Sequence, residues 1–222
     1  RRGLFINTVV NANTIFIGLP LNIALFGNDS LPYFLVYYVL NTLSTWVFGV
    51  FLIAQDSSEP QAKQQISYNW KKLLPAPLVG FLVALMFLLG DIPVPSFINS
   101  TLSYLGATVT SLSLIYIGII LADAGLGSIS FDKDTVAALI GRFVLAPAIM
   151  IGLVLMGKGI APLPTVEAST LIIQAAGPAL AVMPILANEA KGDVQYATNI
   201  VTTSTLLFMV VAPIVDWLLV FI

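Results

Sequence analysis

The chain has 222 residues, 58% of them hydrophobic and 9% charged, with a net charge of −2 and a mean hydropathy of +0.98. A soluble domain carries about 25% charged residues, so this composition reads as an integral membrane protein and excludes a polybasic nucleic-acid surface. Cysteine and histidine are both absent, which excludes disulfides, thiol chemistry and cysteine metal sites and removes the commonest metal ligand and proton shuttle; no metal and no cofactor is expected.

A spanning helix needs about 20 mostly apolar residues, and the chain predicts seven. The first, 4–26, is interrupted. Its stretch Asn11-Ala12-Asn13-Thr14-Ile15-Phe16-Ile17-Gly18-Leu19-Pro20 holds two amides, a hydroxyl, a glycine and a proline. Proline removes a backbone donor and clashes with the preceding turn, which places a break near Gly18–Pro20. In hydrocarbon, freed backbone groups survive only where protein or a wet cavity satisfies them. Residues 27–30 form a turn, and the second span, 31–54, is unbroken and rich in Tyr and Phe. A polar loop at 55–72 divides the chain.

The third span is 73–89. The fourth, 97–122, carries many hydroxyls, among them Ser111, Ser113 and Tyr116. After a loop at 123–134, the fifth span, 135–156, contains Arg142 and Pro147. The sixth, 165–187, is interrupted again, at Gln174-Ala175-Ala176-Gly177-Pro178, and the seventh is 194–221. If each segment crosses once, Arg1, Arg2, Lys63, Lys71, Lys72, Lys133 and Lys191 share one side and Lys158 alone the other. Positive charge marks the cytoplasm, so the N-terminus of this chain is expected inside and the C-terminus outside.

Each interrupted segment is followed by a short loop and one long helix, and Pro20 and Pro178 lie 158 positions apart. With the two segments running in opposite senses, the pattern predicts an inverted-topology repeat, and such paired breaks point to a transporter's binding site. The organisation expected is the end of a first repeat at 1–54, the cytoplasmic loop 55–72, and a five-helix second repeat at 73–222. Three further spans are expected before Arg1.

A half-helix that starts near the membrane centre points free N–H groups and a positive dipole end at the cavity, which makes an anion site without a side-chain charge. Asn11, Asn13, Thr14 and Gln174 near the breaks, with Ser111 and Tyr116 on the fourth span, supply amide and hydroxyl donors; the plain alternative is that they tie helices together. Gly18, Pro20, Gly177 and Pro178 shape the breaks. Arg142 lies about two turns, roughly 10 Å, inside its span. Intramembrane charges are costly and usually functional, so Arg142 either counters a substrate carboxylate or snorkels to the interface. Small residues on helix faces serve either a homodimer or internal packing. No Ser/His, Cys/His or HExxH constellation argues for an enzyme.

The strings NTIFIGLPLNIALFG (13–27), DAGLGSISF (123–131), GRFVLAPAIM (141–150) and IIQAAGPALAVMPILANE (172–189) resemble the auxin efflux carrier family, which includes plant PIN proteins and bacterial malate and malonate permeases. The resemblance covers the whole chain, as the last seven of ten helices. It implies an all-α membrane fold of two five-helix inverted repeats, whose broken fourth and ninth helices, 4–26 and 165–187 here, cross at the substrate site. It also implies carriage of organic anions, of the malate type, by elevator-like movement in the cell membrane. A non-transporting sensor or a sodium-coupled symporter on the same fold are the alternatives.

Overall fold

The computed structural model describes residues 1–56, 76–124, 129–159 and 163–221. The expected loop 55–72 lies outside these from 57 onward, as does the start of the third expected span. Eleven α-helices are described: α1 Arg2–Val10, α2 Leu19–Phe26, α3 Leu31–Leu43, α4 Val50–Gln55, α5 Ala76–Leu89, α6 Ser96–Ala124, α7 Lys133–Ile140, α8 Ala146–Lys158, α9 Thr165–Ala175, α10 Met183–Glu189 and α11 Val194–Leu219. Of three π-helical turns, Ser44–Gly49 and Gly141–Leu145 join α-helical pieces end to end, and Thr14–Gly18 leads into α2. No strand occurs among the described residues, only one isolated antiparallel bridge between Ala12 and Ala179. The chain is all-α.

Among the described residues three helices can cross a membrane by length and composition, Asn28–Gln55, Lys133–Gly157 and Val194–Leu219, and Thr14–Phe26 is a shorter apolar helix. Their outer faces carry large exposed apolar side chains, such as Leu40, Ile149, Met156 and Met209. Large exposed apolar surface of this kind marks a non-aqueous neighbour, here the lipid bilayer.

Pro32 and Pro184 stand in the first turn of α3 and α10, where the missing N–H needs no intrahelical partner. Pro20 and Pro147 directly follow π-helical turns inside continuous helical runs, and Pro213 lies inside α11. Gly27 closes α2 at φ 71°, a conformation that favours glycine.

The expected break at Gly18–Pro20 is therefore displaced. Gly18-Leu19-Pro20 is helical, running from the π-helical turn into α2. The chain breaks a turn earlier, after Val10, where Asn11 is extended (φ −105°, ψ 128°) and Asn13 leaves helical geometry. The second break lies where the sequence places it, between α9 ending at Ala175 and α10 starting at Met183.

One core joins α1, α4, α7, α10 and α11 through Leu4, Ile53, Ala138, Met183 and Ile200. A second joins α8, α9 and α11 through Val154, Ile172, Ile173 and Val215. Backbones approach closely where side chains are small, as membrane packing requires: a Cβ on Gly3 would sit 2.0 Å from the Leu52 carbonyl oxygen.

At one end of the bundle three helix starts converge. Asp56 accepts the N–H groups of Gly3 and Leu4, Asp132 accepts Thr135 N–H, and Asp193 accepts Tyr196 N–H, as N-terminal caps do. Arg1 joins them, donating to Asp193 at 2.7 Å and Asp132 at 3.1 Å with its guanidinium over the Tyr196 ring. The Thr135 hydroxyl and N–H, with Arg1, hold the Asp132 carboxyl below the usual carboxylate range. Partial burial opposes the same shift at Asp193, but the Tyr196 N–H and Arg1 outweigh it.

Candidate substrate site at the crossed helix breaks

The two breaks meet. Asn13 N–H donates to the Pro178 carbonyl at 2.8 Å, beside the Ala12–Ala179 bridge. Ala12 also needs partners on its other side, and one side chain provides both: Asn41 Oδ1 accepts Ala12 N–H at 2.9 Å, and Asn41 Nδ2 donates to Ala12 O at 3.0 Å. The carboxamide thus stands in for a neighbouring strand. This accounts for how extended backbone is tolerated inside a membrane protein, where unpaired groups cost several kcal/mol.

Breaking a helix also strands carbonyls. In a continuous helix Val9 O would receive the N–H of residue 13, and Ala175 O that of residue 179. Those donors are spent elsewhere: Asn13 N–H on Pro178 O, and Ala179 N–H on Ser204 Oγ at 3.1 Å. Arg142 supplies the replacements. Its Nη1 donates to Val9 O at 3.0 Å, Nη2 to Ala175 O at 2.6 Å and Nε to Gly177 O at 2.6 Å. The side chain is 0% exposed. The snorkelling alternative is thus overturned, because no route to the interface is used. The sequence offered contact with a carboxylate or snorkelling; the observed place is a third one, beneath the breaks.

Gln174 ties the breaks from the other face, donating through Nε2 to Gly18 O at 3.0 Å. Gly18 must be small, since a Cβ there would lie 2.2 Å from Gln174 Oε1. Gly177 packs on Ala12, 3.4 Å from its Cβ to an added one. Asn11 pairs its amide with Asn7 Oδ1 at 2.8 Å within the buried turn.

Against this crossover lies a cavity of about 110 Å³, room for several waters or one small organic molecule. Its polar lining is Asn13, Thr14, Tyr38, Asn41, Thr42 and Thr45, and its apolar lining is Ile15, Phe16, Trp46 and Leu180–Val182. None of these carries a charge. The Asn13 side-chain oxygen accepts Phe16 N–H at 3.3 Å and caps the helical run that starts at Thr14, so its NH₂ is the end left to donate. Thr14 and Phe16 put the positive end of the run Thr14–Phe26 at the cavity wall. The wall is neutral, rich in hydroxyl and amide groups, and biased toward negative charge.

Of the residues singled out from sequence, Asn13 and Thr14 line this cavity. Asn11, Gly18, Arg142, Gln174, Gly177 and Pro178 build the crossover behind it. Pro20 sits in the first turn of α2. Ser111 is exposed on α6 and is not part of the lining, and the Tyr116 side chain lies outside what is described. Tyr38, Asn41, Thr42, Thr45 and Trp46 are missed by the sequence reading. Their signal is a polar patch at helical spacing in the middle of an apolar span.

All three π-helical turns border this region. One begins the second half of the first broken helix, one carries Thr45 and Trp46, and one carries Arg142. Such widened turns are rare and gather at functional sites. In two of them a proline follows two residues later, Pro20 after Gly18 and Pro147 after Leu145, where its ring needs room.

The family model described as membrane transport protein matches residues 1–215. The chain therefore belongs to that family, the auxin efflux carrier family, which is a family of membrane transporters. No curated protein matches the chain.

Proposed function

We propose that this family member is a secondary carrier of small organic anions, with malate-type dicarboxylates as the favoured substrate, bound in the cavity against the crossed breaks. The observation that carries this reading is the uncharged cavity at the start of the helical run Thr14–Phe26, with the Asn13 NH₂ and the Thr14 hydroxyl at its wall. It can hold a carboxylate by hydroxyls, the Asn13 amide and helix dipole, while Phe16, Trp46 and Leu180 cover an apolar body. The breaks suit alternating access, because short irregular segments can change pairing while the long helices move as units. Seven crossings, an inverted repeat, a cytoplasmic N-terminal end, elevator-like movement in the cell membrane and a homodimer complete the reading.

The test is uptake by proteoliposomes holding the full chain. Labelled malate should enter saturably, and unlabelled dicarboxylates should compete while their diamides do not. Asn13→Ala and Thr14→Val should each reduce uptake about tenfold or more, the loss expected when one hydrogen bond to a charged group disappears. Uptake no faster than in protein-free vesicles, for malate and other small carboxylates alike, would sink the proposal.

A further inference from the structure

We propose that Arg142 is a positioning residue that sets the charge of the crossover: it cancels the negative ends of the two helices that stop there, and so leaves the cavity selective for anions without touching them. The proposal deepens the anion-carrier reading and rests on it for its biological meaning, but its electrostatic core is testable without any substrate.

The geometry is specific. α1 and α9 both end at the crossover, and the C-terminal end of a helix carries about −0.5 elementary charge. Two such ends bring about −1 to a place buried within the bundle, next to a cavity read as an anion site. Left alone they would oppose the positive end of Thr14–Phe26 and repel a carboxylate. The Arg142 fork donates one nitrogen to each stranded helix end, Nη1 to Val9 O and Nη2 to Ala175 O, and Nε to Gly177 O in the second break. One full positive charge thus meets about one negative charge in summed dipole ends. Among the described residues no carboxylate pairs with Arg142, so the cation is not spent on an acid. Nor does Arg142 line the cavity, so it does not trap the anion as a salt bridge. A planar fork with fixed donor directions satisfies three separate carbonyls, which an ammonium point charge does less well.

The position on the chain agrees. Arg142 lies in the π-helical turn Gly141–Leu145, and the neighbouring glycine lets α1 close in, since a Cβ at Gly141 would meet Val9 Cγ2 at 2.6 Å. Gly141 and Arg142 thus hold the same stretch of α1, one by packing and one by hydrogen bonding to Val9.

Trp46 reports on the cavity. The chain has three tryptophans, so Trp70→Phe with Trp217→Phe leaves Trp46, a lining residue, as the single emitter. Its quenching by iodide relative to acrylamide measures the local preference for an anion over a neutral molecule of similar use. The expected result is a ratio above that of free N-acetyltryptophanamide, kept within about twofold by Arg142→Lys and lowered roughly tenfold to twentyfold by Arg142→Gln, the effect of one charge on the order of 10 Å away at an effective dielectric of about 20. In uptake, Arg142→Gln should raise KM for carboxylates about tenfold, and Arg142→Lys should restore most of it. A purely structural Arg142 would lower both quenching and uptake without changing the iodide preference. The proposal is overturned if the Trp46 ratio equals or falls below the free indole, a comparison that leaves Arg142 untouched, or if a folded Arg142→Gln keeps the ratio of the parent with Arg142. Absence of carboxylate uptake by the wild type, with the quenching results as expected, would instead overturn the carrier reading alone.

Discussion

Replacing Asn41 by leucine abolishes carboxylate uptake and lowers the thermal unfolding midpoint of the detergent-solubilised protein. Asn41 is 7% exposed and serves both backbone groups of Ala12 at once. Leucine is close to it in shape but has no donor or acceptor. An N–H and a C=O would be left buried and unpaired, at about 1–3 kcal/mol each. At about 2–4 °C per kcal/mol for a chain of this size, the midpoint should fall on the order of 10 °C. The loss of uptake follows separately, because Asn41 also lines the cavity and fixes the extended residue that puts Asn13 at Pro178. Asn41→Asp can still accept Ala12 N–H, and only its protonated form can also donate to Ala12 O, so its midpoint should be higher in acid than at neutral pH. A wild-type midpoint in Asn41→Leu would mean that Ala12 finds other partners.

Gly18→Ala should leave a folded protein that does not transport. The new Cβ would lie 2.2 Å from Gln174 Oε1, so Gln174 must turn away and release Gly18 O. Overpacking of this kind costs about 1–3 kcal/mol, and the far end of a glutamine can move at moderate cost. The damage falls on geometry: Gln174 is one of the few ties between the two broken helices, and it is 1% exposed with little room to turn. Because one contact carries the effect, Gln174→Ala should largely relieve the instability of Gly18→Ala, a coupling of about 0.5–3 kcal/mol in a double-mutant cycle on thermal stability. Gly152→Ala, with open space where its Cβ would go, is the control and should change stability by less than about 0.5 kcal/mol. Strict additivity of the Gly18 and Gln174 changes would show that the contact does not matter.

The two interrupted segments and their meeting were legible because apolar stretches that contain amides, glycine and proline have few other uses. The place of the first break was not. Pro20 drew attention as a helix breaker, but it sits inside the helical run Thr14–Phe26 directly after a π-helical turn, whose widening makes room for its ring. The break is made instead at Asn11-Ala12-Asn13, where the Asn13 side chain accepts the Phe16 N–H, the local side-chain bonding by which asparagine competes with helix. Pro184 opens α10, where its missing N–H needs no intrahelical partner, while Gly177 and Pro178 do lie in the second break. Arg142 was legible as a costly intramembrane charge; its partners were not, because all three are backbone carbonyls freed by breaks in distant segments. Asn41, Thr42 and Thr45 passed as part of an apolar span, although their spacing with Tyr38 puts them on one helix face. The π-helical turns are invisible in sequence, since a widened turn depends on which hydrogen bond its neighbours make dispensable.

A single thiol at Val182 tests the central claim, that a small carboxylate occupies the cavity at the crossover. Val182 is a half-buried lining residue on the second break, and the chain has no cysteine of its own, so Val182→Cys makes the only reactive site. Its rate of modification by a small thiosulfonate reagent should fall at least about tenfold at saturating malate, as expected for a ligand occupying about nine sites in ten, and stay unchanged with the corresponding diamide. The concentration giving half protection should match the KM for uptake. A modification rate unchanged by any carboxylate that the same protein transports would contradict the account, because the substrate would then bind elsewhere.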